Sequence, residues 1–168
     1  MTAPPPSELP APQPGTTGHA MPAGYRPPPP NGTVAWALGF LAYIPIPFFN
    51  VLIAGVAQVI AGRKQRKHGG LAAENGRRAA NWGLTQLTWA VLMGVVVLLT
   101  QLTGTPRESG GVQPPPVLDA IMTGFIISYF VLGAVQLVYA ITGTVKAGRG
   151  QLVWLPAIPF LPSTVPPA

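Results

Sequence analysis

The 168-residue chain carries 10 Lys and Arg, 4 Asp and Glu and 2 His, giving a formal charge of +6, and it has no Cys. Only 8% of its residues are charged against 48% apolar, where a soluble globular domain has about 25% charged residues, so the composition argues against a soluble fold. Disulfides, thiolate metal sites, iron–sulfur clusters and Cys nucleophiles are excluded, and so few His and carboxylates leave little for acid–base or metal chemistry.

Residues 1–30 hold 11 of the 22 prolines, including Pro4-Pro5-Pro6 and Pro27-Pro28-Pro29-Pro30. Proline lacks an amide donor and fixes φ, so 1–32 reads as a disordered, proline-rich arm sampling polyproline II. Tyr25-Arg26-Pro27 is the stretch that a proline-gripping partner domain would take, and a plain solvated tail is the simpler reading.

Three apolar windows follow, at 33–61, 82–103 and 117–143, and Asp119 is the one charge within them. About 20 helical residues cross a hydrocarbon core of about 30 Å, so the spacing predicts membrane segments. The first is interrupted by Pro45 and Pro47, which break the helix, and Asn50 is placed to cap a second helix from Val51. Two short helices in a re-entrant hairpin fit these lengths, as does a single kinked span; the hairpin is preferred. Small residues four apart (Ala57/Ala61, Ala90/Gly94, Gly124/Ser128) are candidate helix contacts, and Gln58 and Gln136 are candidate bridges. Thr85, Gln86 and Thr88 need partners across to another helix, and Trp82 suits the interface belt. Asp119 reads as a wetted residue at a helix start.

The 62–81 connector carries Arg63, Lys64, Arg66, Lys67, Arg77 and Arg78 against Glu74 alone. Cytoplasmic loops collect Lys and Arg, so this connector and the C-terminus are expected inside and 104–116 outside. The same cations are candidate contacts for anionic lipid. Glu74 and Arg78 are spaced to pair on a helix surface that restarts near Leu71. Compact juxtamembrane charge without interleaved aromatics gives no nucleic-acid reader. The end, from Gln151, is too rich in proline for a helix, and its aromatics are expected along the cytoplasmic interface.

The blocks Pro45–Gly55 (PIPFFNVLIAG), Glu74–Gln86 (ENGRRAANWGLTQ) and Thr142–Pro156 (TGTVKAGRGQLVWLP) resemble, in order and spacing, the bacterial "domain of unknown function forty-eight seventy" membrane family. That family is described as similar to the twenty-kilodalton membrane subunit of the chloroplast inner-envelope import translocon, the Tic complex. The resemblance covers about residues 33–161, and Glu74, Asn75, Asn81 and Trp82 lie in its most specific block. It implies a small multi-pass protein of the bacterial inner membrane with no assigned catalytic residues.

The fold expected is an all-α integral membrane protein: a polytopic domain over 33–161 with a broken or re-entrant first segment and two long transmembrane helices, then a tail at 162–168. The function expected is that of a non-enzymatic component that assembles with other membrane proteins or with itself, in contact with lipid. The alternative is a small oligomeric channel or transporter. No catalytic residue, metal, cofactor, nucleic acid or small-molecule substrate is assigned.

Overall fold

The computed structural model describes residues 29–108 and 110–163. Nearly all of the expected proline-rich arm, with Tyr25-Arg26-Pro27, and the end of the expected tail lie outside the described residues.

Asn31 opens the fold. Its Oδ1 accepts hydrogen bonds from the Thr33 amide (3.1 Å) and hydroxyl (2.7 Å), an Asx turn that starts α1, Thr33–Ala37. The chain then tightens into a 3-10 helix over Leu38–Tyr43, so the first of the two short helices is only partly α-helical. Pro45 and Pro47 lie in the exposed, non-helical turn at 44–48. Phe48 reverses the chain at φ 66°, a strained value for a side-chain-bearing residue. The next helix, α2, runs Phe49–Gln65.

The capping role expected of Asn50 is met only in part: its Oδ1 accepts from the Val51 amide (2.8 Å), but α2 begins earlier, at Phe49. Carbonyls of the turn already take the first amides of α2: Pro47 accepts from Phe49 (2.8 Å) and Ile46 from Asn50 (3.0 Å). Asn50 therefore sits inside the helix, where its Nδ2 donates to the Ala42 carbonyl (2.6 Å) and the Tyr129 hydroxyl (3.2 Å). It laces the two legs of the hairpin to a neighbouring helix.

The 62–81 connector is helical almost throughout. A 3-10 turn at Arg66–His68 and two left-handed glycines, Gly69 and Gly70, reverse the chain into α3, Gly70–Thr103. α3 thus starts well before the window at 82–103, because alanine-rich sequence continues the helix out of the apolar zone. Thr105–Pro106 pairs antiparallel with Val112–Gln113. α4, Pro116–Gly148, opens with proline at its first position and Asp119 in its first turn. Gly150, at φ 68°, ends it with paired bonds from Gly150 to Ala147 and from Gln151 to Lys146.

The contacts define a hairpin that enters and returns at one end of the molecule. Going inward, Trp36 meets Gly143, Gly39 meets Gln136, and the Tyr43 hydroxyl donates to the Gly133 carbonyl (2.6 Å). At the tip, Phe48 packs on Tyr129 with ring centroids 5.3 Å apart. α2 then returns along α3, passing Gly83 at Gly55 and Gly76 at Gly62. A Cβ on Gly83 would sit 2.6 Å from the Gly55 carbonyl oxygen, so glycine alone permits this approach. The small-residue pairs singled out in the sequence do not form this seam. Gly94 and Gly124 face open space, because the hairpin tip stops short of them.

α3 and α4 are both long and apolar enough to cross a membrane, and the most apolar stretch of each is little buried inside the molecule, whereas the first turns of α3 are packed within it. Leu102, Val117 and Phe130 are 72%, 71% and 70% exposed. The interior holds instead Asn50, Gln58, Asn75, Asn81, Gln86 and Gln136, with Trp36, Trp82 and Tyr139.

Candidate functional site

The centre of the bundle is an uncharged polar core. Gln136, 1% exposed, donates from Nε2 to the Gly39 carbonyl (2.8 Å), while its Oε1 accepts from both Trp82 Nε1 and Gln86 Nε2. Gly39 is required here because a Cβ would overlap the Gln136 amide. Gln58 points to the same place from α2, yet neither of its amide atoms has a partner among the described residues, and Gln86 Oε1 has none either. A cavity of about 340 Å³ opens beside this core, lined by Asn50, Gln86, Tyr129, Phe130, Ala134 and Gln136 among others.

A second polar group, at the end where α3 begins, is a clasp. Asn75 Nδ2 donates to the carbonyls of Asn31 (2.9 Å) and Gln151 (3.0 Å), and its Oδ1 accepts from the Val153 amide (2.9 Å). Asn81 Oδ1 accepts from the Leu161 amide (2.8 Å). Arg77 and Arg78 donate to the carbonyls of Leu161 (3.0 Å) and Val153 (2.9 Å), and the Arg78 guanidinium lies 3.8 Å from the Trp154 ring centroid. Both arginines also pair with Glu74, at 2.6 and 2.8 Å. Hydrogen bonding from Arg77 foremost holds the Glu74 carboxyl below the usual carboxylate range, against the opposing effect of burial.

Placement revises several expectations. Trp82 is not in an interface belt. Its indole nitrogen finds Gln136, and its ring stacks on Tyr139 at 4.4 Å, which draws it inside. Glu74 pairs with Arg78 as spaced, but it is buried, because Arg77 and the C-terminal segment cover it. Thr88 needs no other helix: its hydroxyl donates to the Leu84 carbonyl of its own turn (3.0 Å). Gln86 does bond across to another helix, at Gln136, whereas Thr85 donates to the Asn81 carbonyl of its own helix (2.9 Å) and accepts from the Ile158 amide (3.2 Å) of the extended C-terminal segment. Arg63, Lys64 and Lys67 remain exposed at the end of α2, and Arg66 is half-buried. Arg77 and Arg78 are turned instead toward Glu74 and the C-terminal carbonyls. The extended C-terminal segment is non-helical, as its prolines predict, but Val153 is fully buried and only part of the segment is exposed.

Sequence reasoning missed Gly39, Gly143, Trp36 and Tyr139. A Cβ on Gly143 would overlap the Trp36 ring. An aromatic in one helix answering a glycine in another leaves no periodic signal in either.

No curated protein and no solved structure matches the chain. A family model does match, and it overturns the likeness to the "domain of unknown function forty-eight seventy" and Tic families. The matching model spans residues 31–161, from the Asx turn before α1 to the end of the clasped segment. The chain belongs to the MamF/MmsF family, the magnetosome magnetite crystal formation proteins.

Proposed function

We propose that the chain is a multi-pass membrane protein in which α3 and α4 span the bilayer and α1–α2 form a re-entrant hairpin. The observation that carries this is the inverted distribution of polarity. Apolar side chains cover the outside of α3 and α4, while amides, indoles and a carboxylate are buried among small apolar residues inside. Water would not tolerate that outer surface, whereas lipid requires it. The exposed Arg63, Lys64 and Lys67, with Arg66, hold the returning end of the hairpin at the cytoplasmic face, against anionic lipid.

Within that membrane the chain acts as a non-enzymatic component that assembles with other membrane proteins. The family name ties such a component to magnetite crystal formation in a magnetosome. A small oligomeric channel or transporter is the second reading, and the polar cavity favours it.

The chain's lack of Cys makes single-Cys labelling in vesicles a clean test. Ala20→Cys and Arg149→Cys should react from the cytoplasmic side and Glu108→Cys from the opposite side. External labelling at residue 20 would replace the hairpin by a span. Cross-linking in native membranes then separates the two functions. A reproducible membrane-protein partner supports assembly, and self-cross-links alone, in a closed stoichiometry, support the channel or transporter.

A further inference from the structure

The cavity beside Gln86 and Gln136 sits midway along α4. Tyr129 lies about 15 Å from Asp119, and Gln136 about 15 Å from Lys146, at 1.5 Å per residue. Unspent hydrogen-bonding capacity at this level calls for water. Gln86, 2% exposed and lining the cavity, has an Oε1 without a partner among the described residues, and both amide atoms of the fully buried Gln58, which lies behind the cavity wall near Gly39 and Gln136, are likewise unpartnered. An unpaired buried polar atom is costly, and a cavity that offers several polar partners and ample room takes up water.

We propose that this cavity is a hydrated site inside the membrane, whose ligands are water and the small uncharged hydrogen-bonding solutes that can replace it. Its donors and acceptors are all neutral: the Gln86 and Gln136 amides, Asn50 and the Tyr129 hydroxyl. Among the described residues no charged side chain lines it, so it offers an ion no countercharge. The layer of Trp36, Trp82 and Tyr139 packs below it and separates it from the clasp. The proposal rests on the membrane reading above, and the test is arranged so that the two can fail separately.

Single cysteines are placed at Ala134 and Val51 on two walls of the cavity, at Leu98 on the outer apolar face, and at Glu108 in the loop. Each is reacted in reconstituted vesicles with hydroxyethyl methanethiosulfonate, a small neutral reagent whose sulfenyl sulfur the thiolate attacks, forming a mixed disulfide with loss of methanesulfinate, so that the rate reports where water lets the thiol ionise. Ala134→Cys and Val51→Cys should react at least about tenfold faster than Leu98→Cys, a margin of about one pKa unit in ionisation. Protection of both cavity positions at the Leu98 level, with Glu108→Cys reactive, would overturn the hydrated site and leave the membrane reading standing. Labelling of Leu98→Cys as fast as Glu108→Cys would overturn the membrane reading itself. Adding Gln86→Leu to Ala134→Cys should slow labelling severalfold, and an unchanged rate would remove Gln86 from the site.

Discussion

At the scale of single residues, the side chains that matter most are those with no substitute partner. Asn75 answers three backbone groups from two distant parts of the chain, and one of them belongs to the fully buried Val153. Asn75→Ala leaves all three unpaired at about 1–3 kcal/mol for each group that stays buried, so a loss of about 3 kcal/mol is expected. Asn75→Asp keeps the acceptor for Val153 but turns a buried carboxylate oxygen toward the carbonyls of Asn31 and Gln151, and should cost at least as much as Ala at neutral pH. Thermal unfolding in detergent, with protease attack on 151–163 as a second readout, measures both. Equal stability of Asn75→Ala and the native chain would show that the clasp does not hold the C-terminal segment. Glu74 adds a pH dependence. Its carboxyl titrates below the usual range in the folded state, so its contribution is fully present above the ordinary Glu value. That contribution is lost as pH falls through the depressed one. Acid should therefore destabilise the native chain more steeply than Glu74→Gln, whose unfolding midpoint should change less between neutral and acidic buffer.

At the scale of elements, the seam between α2 and α3 depends on glycines where the backbones touch. A Cβ on Gly83 or Gly76 would lie 2.6 or 2.8 Å from a facing carbonyl oxygen, and backbone cannot move aside as a side chain can. Gly83→Ala should push the helices apart and destabilise by about 2 kcal/mol or more, the scale of overpacking. Gly94→Ala, facing open space, should instead stabilise α3 by up to about 1 kcal/mol through helix propensity alone. Unfolding midpoints of the two variants should move in opposite directions, and parallel shifts would contradict this seam. The elements also show what could be read beforehand. The prolines at 45 and 47 and the long apolar windows carry their meaning locally, through missing amides and uninterrupted hydropathy. The seam at Gly55, Gly62, Gly76 and Gly83 does not. Which small residues touch depends on where the hairpin tip stops along α3, a property of the assembled bundle. For the same reason Asn50 reads as a cap and Trp82 as a belt residue: both are polar-edged residues at the ends of apolar runs, and only packing reveals the inward partner each one finds.

At the scale of the whole molecule, two charge groups that are neighbours in sequence do different work. Arg77 and Arg78 are spent on Glu74 and on the C-terminal carbonyls, so their charge is held inside the fold. Arg63, Lys64, Arg66 and Lys67 make no such bonds in the clasp and project from the end of α2. If orientation is set by free juxtamembrane cations, the second group should set it and the first should not. Replacing Arg63, Lys64, Arg66 and Lys67 together by Gln should invert or mix the orientation of α3 and α4, read as Glu108→Cys becoming reactive from the cytoplasmic side. Replacing Arg77 and Arg78 by Gln should keep the orientation while lowering the unfolding temperature, because Glu74 then stays buried without a partner. The reverse pattern would mean that orientation is read from the chain before the clasp forms, when Arg77 and Arg78 are still free to act as ordinary loop cations.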